Sequence, residues 1–199
     1  GERRALPKYH QEKGLTTIPM EFAPYQSFFV VFPKTIARLR ANAGDVNFPT
    51  LQVVVELHGA WDLAFVPEWG GPETIIFDTL QDWTRHPKRG IKYYSGIATY
   101  RKIFDLPHEL EARIYLDLGT VHDIARVKLN GKDLGVVWCA PWRVDVSKDV
   151  KTKGNVLEVD IANRWPNRLY GDQQAPDKDV RTVKWESGFL GGREYKTGR

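Results

Sequence analysis

The sequence predicts an all-β protein, a sandwich or barrel of short antiparallel strands, and three observations carry that reading. Apolar residues recur at period two in residues 113–118, where Ile114, Leu116 and Leu118 share a face, and again in residues 155–161, where Leu157, Val159 and Ile161 do. Between these runs stands Asn130-Gly131, a pair suited to the two positive φ angles of a type I′ hairpin turn. From Leu51 onward roughly eight such runs follow at about 8 to 12 residues, with no convincing amphipathic helix and no internal repeat.

Taken in order, residues 16–22 and 27–31 read as two strands joined by Ala23-Pro24-Tyr25. Phe28 to Phe32 is apolar on both faces, which a strand tolerates only when covered on both sides. Residues 34–47 form a connector. Residues 1–48 are therefore expected to be a strand pair and linker closing a preceding β region, and residues 49–199 the main sandwich with a C-terminal tail. Residues 51–57 start a new strand, Gly59-Ala60 turns it, and Trp61, Leu63 and Phe65 return on one face. Residues 67–72 cannot be regular, 74–77 is a short strand, and 93–104 alternates through Ala98, Tyr100 and Phe104.

The hairpin register follows from the turn: Leu129 faces Lys132, Lys128 faces Asp133 and Val127 faces Leu134. Ala125, Val127, Leu134 and Val136 would then join Ile114, Leu116, Leu157 and Val159 as one inner layer. Residues 172–176 are expected to cross the sandwich as a loop, and residues 183–190 to dock Trp185 and Phe189 on the N-terminal strands.

The 199 residues, 42% hydrophobic and 27% charged, suit a globular protein, and no apolar run reaches the roughly 20 residues of a membrane helix. No membrane partner is expected. The net charge of +4 is mild. Arg85-His86-Pro87-Lys88-Arg89, between Trp83 and Tyr93-Tyr94, has the interleaving that holds nucleic acid, but a short charge run is read first as a solvated loop, so no nucleic-acid partner is expected. Cys139 is the single cysteine, which excludes an intrachain disulfide and fits a small buried apolar residue. Gly1 to Arg4 reads as the cut end of a longer chain.

The runs Tyr93 to Phe104, Tyr115 to Gly119, Ala125 to Gly131, Leu134-Gly135 and Trp138 to Asp145 resemble the galactose-binding-like jelly roll of family 2 type glycoside hydrolases. Phe22 to Phe32, Gly59-Ala60-Trp61 and Asn163 to Asp172 together look like the C-terminal part of the bacterial α-L-rhamnosidases of glycoside hydrolase family 106. The resemblance implies a galactose-binding-domain-like jelly-roll β-sandwich and a periplasmic or extracellular home. Its implied partners are carbohydrate and a catalytic α/β barrel of the same full-length chain. Because that barrel carries the catalytic carboxylates, no catalytic residue is carried over.

The residues agree with a non-catalytic role. There is no His-Glu-x-x-His, no phosphate-binding glycine loop, no Gly-x-Ser-x-Gly and no paired-cysteine zinc spacing. No metal ligand is named and no cofactor is expected, although jelly rolls of this kind often hold a structural calcium. The candidate saccharide or domain-interface residues are Trp138, Trp142, Arg143, Trp165, Asn167, Arg168 and Asp172. Sugar C–H faces stack on aromatic rings while hydroxyls need forked donors and acceptors, and these residue types supply both. The competing reading puts Trp142 in the core with Val144 and Val146, and Trp165 at a corner before Pro166. The expected function is that of a carbohydrate-binding-like accessory domain. The alternatives are a purely structural module bracing the barrel, or a free-standing lectin-like protein.

Overall fold

The computed structural model describes residues 4–32, 46–174, 181–183 and 195–197. Contacts divide the chain into two compact units, Gly1–Val54 and Val55–Arg199.

The first unit holds one small hairpin, β1 (His10–Glu12) with β2 (Leu15–Thr17), turning at Lys13 and Gly14, both at positive φ. Buried Asn47 staples the segments beside it. Its amide donates to the carbonyls of Lys8 and Pro19 at 2.7 and 3.0 Å and accepts from the Lys8 N–H at 2.8 Å. The strands expected at residues 16–22 and 27–31 are not formed beyond Thr17. Phe29, Val31 and Phe32 are exposed, and Phe28 packs edge-on against Phe22 and Phe48. An apolar run becomes a strand only where another segment takes its N–H and C=O groups, and the described part of this unit offers none to residues 27–32. The strand expected at residues 51–57 is missing for the same reason, and Leu51, Val53 and Val54 are exposed.

The second unit is an all-β sandwich. Its main sheet has six antiparallel strands: β3 (Trp61–Phe65), β4 (Thr74–Phe77), β5 (Ile97–Phe104), β7 (Ile124–Leu129), β8 (Lys132–Val137) and β10 (Asn155–Ala162), in the order β4-β3-β5-β10-β7-β8. Beside it, β6 (Tyr115–Asp117) pairs with β9 (Arg143–Asp145), and β11 (Arg181–Val183) with β12 (Tyr195–Thr197). The inner face is a set of registered rows. Leu63, Tyr100, Val159 and Val127 stand opposite one another across four strands, and Phe65, Ala98, Ile161, Ala125 and Val137 across five. Leu116 and Val144, partners in the smaller sheet, pack against this core. The outer face is a ladder of charge, pairing Arg101 with Glu158, Lys128 with Asp160 and Arg126 with Asp133.

Asn130 and Gly131 take the expected turn, at φ of 53° and 81°. The asparagine is held further: its Nδ2 donates to Asp149 O and Asn155 Oδ1, and its Oδ1 accepts from the Val156 N–H at 2.9 Å. Leu129 faces Lys132 and Lys128 faces Asp133 as expected, but Val127 faces Gly135 instead of Leu134, because a bulge intervenes. Gly135 absorbs it at φ of 96°, its N–H bound to Asp133 Oδ1 at 2.9 Å. A slip of one residue reverses the faces beyond it. Val136, expected inside, is therefore exposed, and Val137 packs on the core in its place.

Two helices stand outside the expected run of strands and loops: α1 (Arg89–Lys92) and α2 (Pro166–Gln174). Residues 172–174, expected as loop, are the last turn of α2. Cys139, expected to be buried, is half-buried, since it lies in the connection after β8 and not within a strand. The docking expected of residues 183–190 lies outside the described residues.

Within the core, Trp83 Nε1 donates to the Tyr100 hydroxyl at 2.5 Å. Burial pushes the Tyr100 phenol up to about 12, against the lowering effect of that bond, and raises Tyr94 as well. The folded state thus holds both protons more tightly than the unfolded chain, whose phenols titrate near 10. Their contribution to stability is complete below pH of about 10 and is lost as pH rises towards 12. Stability is expected to fall by up to about 2 kcal/mol across that window, and Tyr100→Phe to flatten the fall, in urea unfolding followed at several pH values. At the hairpin, a Cβ placed on Gly131 meets nothing within 4 Å among the described residues beyond its chain neighbours. Gly131→Ala should therefore cost about 1 kcal/mol from backbone strain alone, and Gly131→Asn distinctly less. Equal melting temperatures for the unmutated chain and both variants would contradict the turn.

Candidate functional site

At one end of the sandwich four segments meet: the loop after β3, α1, residues 93–96, and α2. Pro166 opens α2 at the position where a missing N–H costs nothing. The polar side chains around it then turn inward. Asn167 Nδ2 donates to the Lys92 and Tyr94 carbonyls at 2.9 and 3.0 Å, and Asn163 Nδ2 donates to the Tyr94 carbonyl at 2.9 Å. Ser95 Oγ donates to Arg164 O and accepts from the Arg168 N–H, each at 2.9 Å. Arg168 Nη1 donates to Trp69 O at 2.9 Å, and its Nε meets Asp172 Oδ1 at 3.1 Å, with both side chains only 14% exposed. Asp172 Oδ2 is buried and has no donor among the described residues. Gly171 lets the helix close on Tyr93, since a Cβ there would lie 2.5 Å from the tyrosine's own Cβ.

These bonds fix what is left on the surface. Trp69 ends a 3-10 turn, Pro67–Trp69, and Trp165 immediately precedes α2. Their rings meet edge-on at 73°, centroids 5.1 Å apart, with Trp69 45% and Trp165 52% exposed. Leu169, whose N–H donates to Trp165 O, is exposed one turn on. Glu68 and Arg164 flank the pair in the chain and are exposed, Arg164 meeting Asp123 at 2.8 Å.

Of the seven residues expected to carry recognition, Trp165, Asn167, Arg168 and Asp172 come together here. Trp138, Trp142 and Arg143 lie around the connection from β8 to β9. There Trp138 is exposed, Trp142 is half-buried with its carbonyl accepting from the Leu118 N–H, and Arg143 Nε meets Asp117 Oδ2 at 2.7 Å. Asn167 commits its amide to backbone carbonyls, and Arg168 its Nη1 and Nε to Trp69 O and Asp172, so they position the corner. Trp69 is absent from the expected set, although Pro67-Glu68-Trp69-Gly70-Gly71 places a tryptophan in a segment that can form neither a long helix nor a strand. Among the described residues no group of three or more His, Cys, Asp or Glu is placed to hold a metal ion.

Residues 91–196, more than half of the chain, match the family described as glycosyl hydrolase 2 galactose-binding domain-like, and the chain belongs to that family. It is 45% identical over 151 residues to a Formosa agariphila protein named for an inferred β-glucuronidase activity, an overlap of 73% of this chain and 13% of that protein. The structure of the rhamnosidase from Novosphingobium sp. PP1Y superposes with a TM-score of 0.76 at 38% identity, over 85% of this chain and 16% of that one. The chain thus spans less than a fifth of the length of either relative.

If Asn167 positions the corner, Asn167→Ala should leave the Lys92 carbonyl without its side-chain donor and the Tyr94 carbonyl with Asn163 alone, and lower stability by about 1–3 kcal/mol. Thermal melting with and without sugar measures this; an unchanged melt with altered sugar affinity would instead make Asn167 a contact residue.

Proposed function

We propose that this chain is a non-catalytic carbohydrate-binding domain of a longer bacterial glycoside hydrolase, an α-L-rhamnosidase of family 106 acting in the periplasm or outside the cell. The observation that carries the reading is the corner of Trp69 and Trp165. Two large aromatic faces left half in water are costly unless something covers them, and here Arg168, half-buried and paired with Asp172, ties the Trp69 carbonyl to the helix that Trp165 precedes. A pyranose ring laid on one indole would meet the edge of the other, with Glu68 and Arg164 close in the chain for its hydroxyls. Support for the rhamnosidase comes from the 38% identity to the Novosphingobium enzyme, whose remaining length leaves room for the roughly 250 residues of a barrel.

A second role, bracing that barrel, is favoured by exposed Phe29, Val31 and Phe32 in the first unit. The two roles part under mutation. Trp165→Ala should weaken binding of a rhamnose-containing oligosaccharide roughly tenfold in calorimetric titration of the 199-residue chain, while its melting temperature stays nearly constant. Absence of binding by the unmutated chain would rule out the carbohydrate reading in favour of the brace.

A further inference from the structure

Next to the tryptophan corner, the structure concentrates positive charge that no carboxylate among the described residues pairs with. From Trp83 to Phe104 the chain has six Lys or Arg and no Asp or Glu, against 29 and 25 in the whole sequence. Arg85, Lys88, Arg89 and Lys92 crowd into eight of those residues, and among the described residues none of the four forms an ion pair. The Arg101–Glu158 pair of the same stretch shows what the sheet does with a cation it needs. Two of the four are aimed at one ring. The Arg89 guanidinium lies 5.2 Å from the centroid of Tyr93 and the Lys92 ammonium 5.5 Å from it. Arg89 is fixed there by a 2.8 Å bond from Nη2 to the Gly171 carbonyl, which leaves its other donors unassigned.

The second wall of this place is α2. Tyr170, 56% exposed, meets Tyr93 at 6.1 Å and a tilt of 56°. Gln173 and Gln174 follow it at three and four residues, the spacing that shares a helix face, and both are exposed. The juxtaposition is therefore two like charges beside one ring, an open aromatic face, and two primary amides. Like charges held together without a counterion repel, so an anion gains energy by binding between them. The amides offer both donor and acceptor, which suits hydroxyl groups and does nothing extra for a bare phosphate or sulfate.

We infer that Arg89, Lys92, Tyr93, Tyr170, Gln173 and Gln174 form a site for a uronic acid residue of a polysaccharide. The carboxylate lies on Arg89 and Lys92, the C–H face of the sugar ring on Tyr170, and the ring hydroxyls on the glutamines. Its ligand class rests on the carbohydrate reading above, but no part of the tryptophan corner is used. A single-stranded nucleic acid also combines negative charge with faces that stack. The amides and the small span of the site favour the sugar.

The test is calorimetric titration of the 199-residue chain with an oligogalacturonide, its carboxyl-reduced neutral counterpart, and a single-stranded oligonucleotide. The oligogalacturonide should bind about tenfold tighter than the reduced form, and added salt should erase the difference by screening the surface cations. Lys92→Gln and Tyr170→Ala should each weaken the oligogalacturonide several-fold, while Lys153→Gln, which removes an exposed cation of the β9–β10 connection, leaves it unchanged. Equal binding of acidic and reduced forms, lost in Trp165→Ala and untouched by Lys92→Gln, would overturn the uronate site and leave the tryptophan corner standing. Tighter binding of the oligonucleotide would overturn it in favour of nucleic acid. Binding of none of the three by a folded chain would overturn the uronate site, while the tryptophan corner stands or falls on the rhamnose-containing oligosaccharide.

Discussion

Tyr94 has no exposure to solvent, yet every polar group it carries is engaged. Its N–H donates to Ile91 O, its carbonyl accepts from Asn163 and Asn167, and its hydroxyl accepts from the Val66 N–H at 3.1 Å while donating to Ile97 O at 2.9 Å. Its ring lies edge-on to Phe65 and Trp83, 4.8 and 5.7 Å away. One residue therefore ties the loop after β3, the start of β5 and the N-terminus of α2 to the apolar core. A buried hydroxyl or carbonyl without partners costs a few kcal/mol, so these segments are held in the one arrangement that satisfies all of them. Gly71 must stay small for the same reason, because a Cβ there would press on Phe65 and Tyr94. The surface tryptophans and the cations of α1 are attached to this clamp, which is why their spacing is set by the core and not by their own contacts.

The strands of the sandwich are legible in the sequence wherever a period-two pattern meets a strong turn. Asn130-Gly131 announces itself because few residue pairs adopt two positive φ angles, and the register on its near side follows from counting. The bulge at Gly135 is not legible, because Leu134-Gly135-Val136-Val137 alternates plausibly in either register. What chooses between them is the Asp133 carboxylate accepting from the Gly135 N–H while pairing with Arg126, a combination visible only after the strands are paired. Residues 27–31 and 51–57 show the converse. Their apolar content is that of strands, but strand formation needs a partner, and an isolated pattern does not say whether its own unit contains one.

Composition hides α2. Asn167, Gly171 and Asp172 are poor helix formers, and Pro166 reads equally as a corner or as a first helical residue. Tertiary bonds override the weak propensity: the Arg168–Asp172 pair spans one turn, and the two asparagines reach the carbonyls of residues 92 and 94. The candidate site is legible to the same partial degree. Residue type singles out Trp165, Arg168 and Asp172, but a guanidinium or an amide satisfies a backbone carbonyl as well as it satisfies a sugar hydroxyl. Only burial separates the two uses, and burial is a property of the folded neighbourhood. Trp69 carries no signal of its own, because its importance lies in meeting a ring far away in sequence.

The division of labour that results follows from desolvation. Arg168 and Asp172 are nearly out of water and matched to each other, so drawing either towards a ligand would leave the other buried and unpaired at a cost of several kcal/mol. Such groups are suited to holding, and a ligand gains little by competing for them. Trp69, Trp165 and Tyr170 are in the reverse position, because their apolar faces are already wet, and covering one releases on the order of 25 cal/mol for each Å² removed from water. Arg89 and Lys92 stand between these cases. They are anchored beside Tyr93 yet have no carboxylate to give up, so an anion arriving there breaks no existing ion pair among the described residues. Among the described residues, the groups at this end of the sandwich not already committed to ion pairs are therefore its aromatic rings and the cations of α1, while Asn167, Arg168 and Asp172 are spent on holding its segments together.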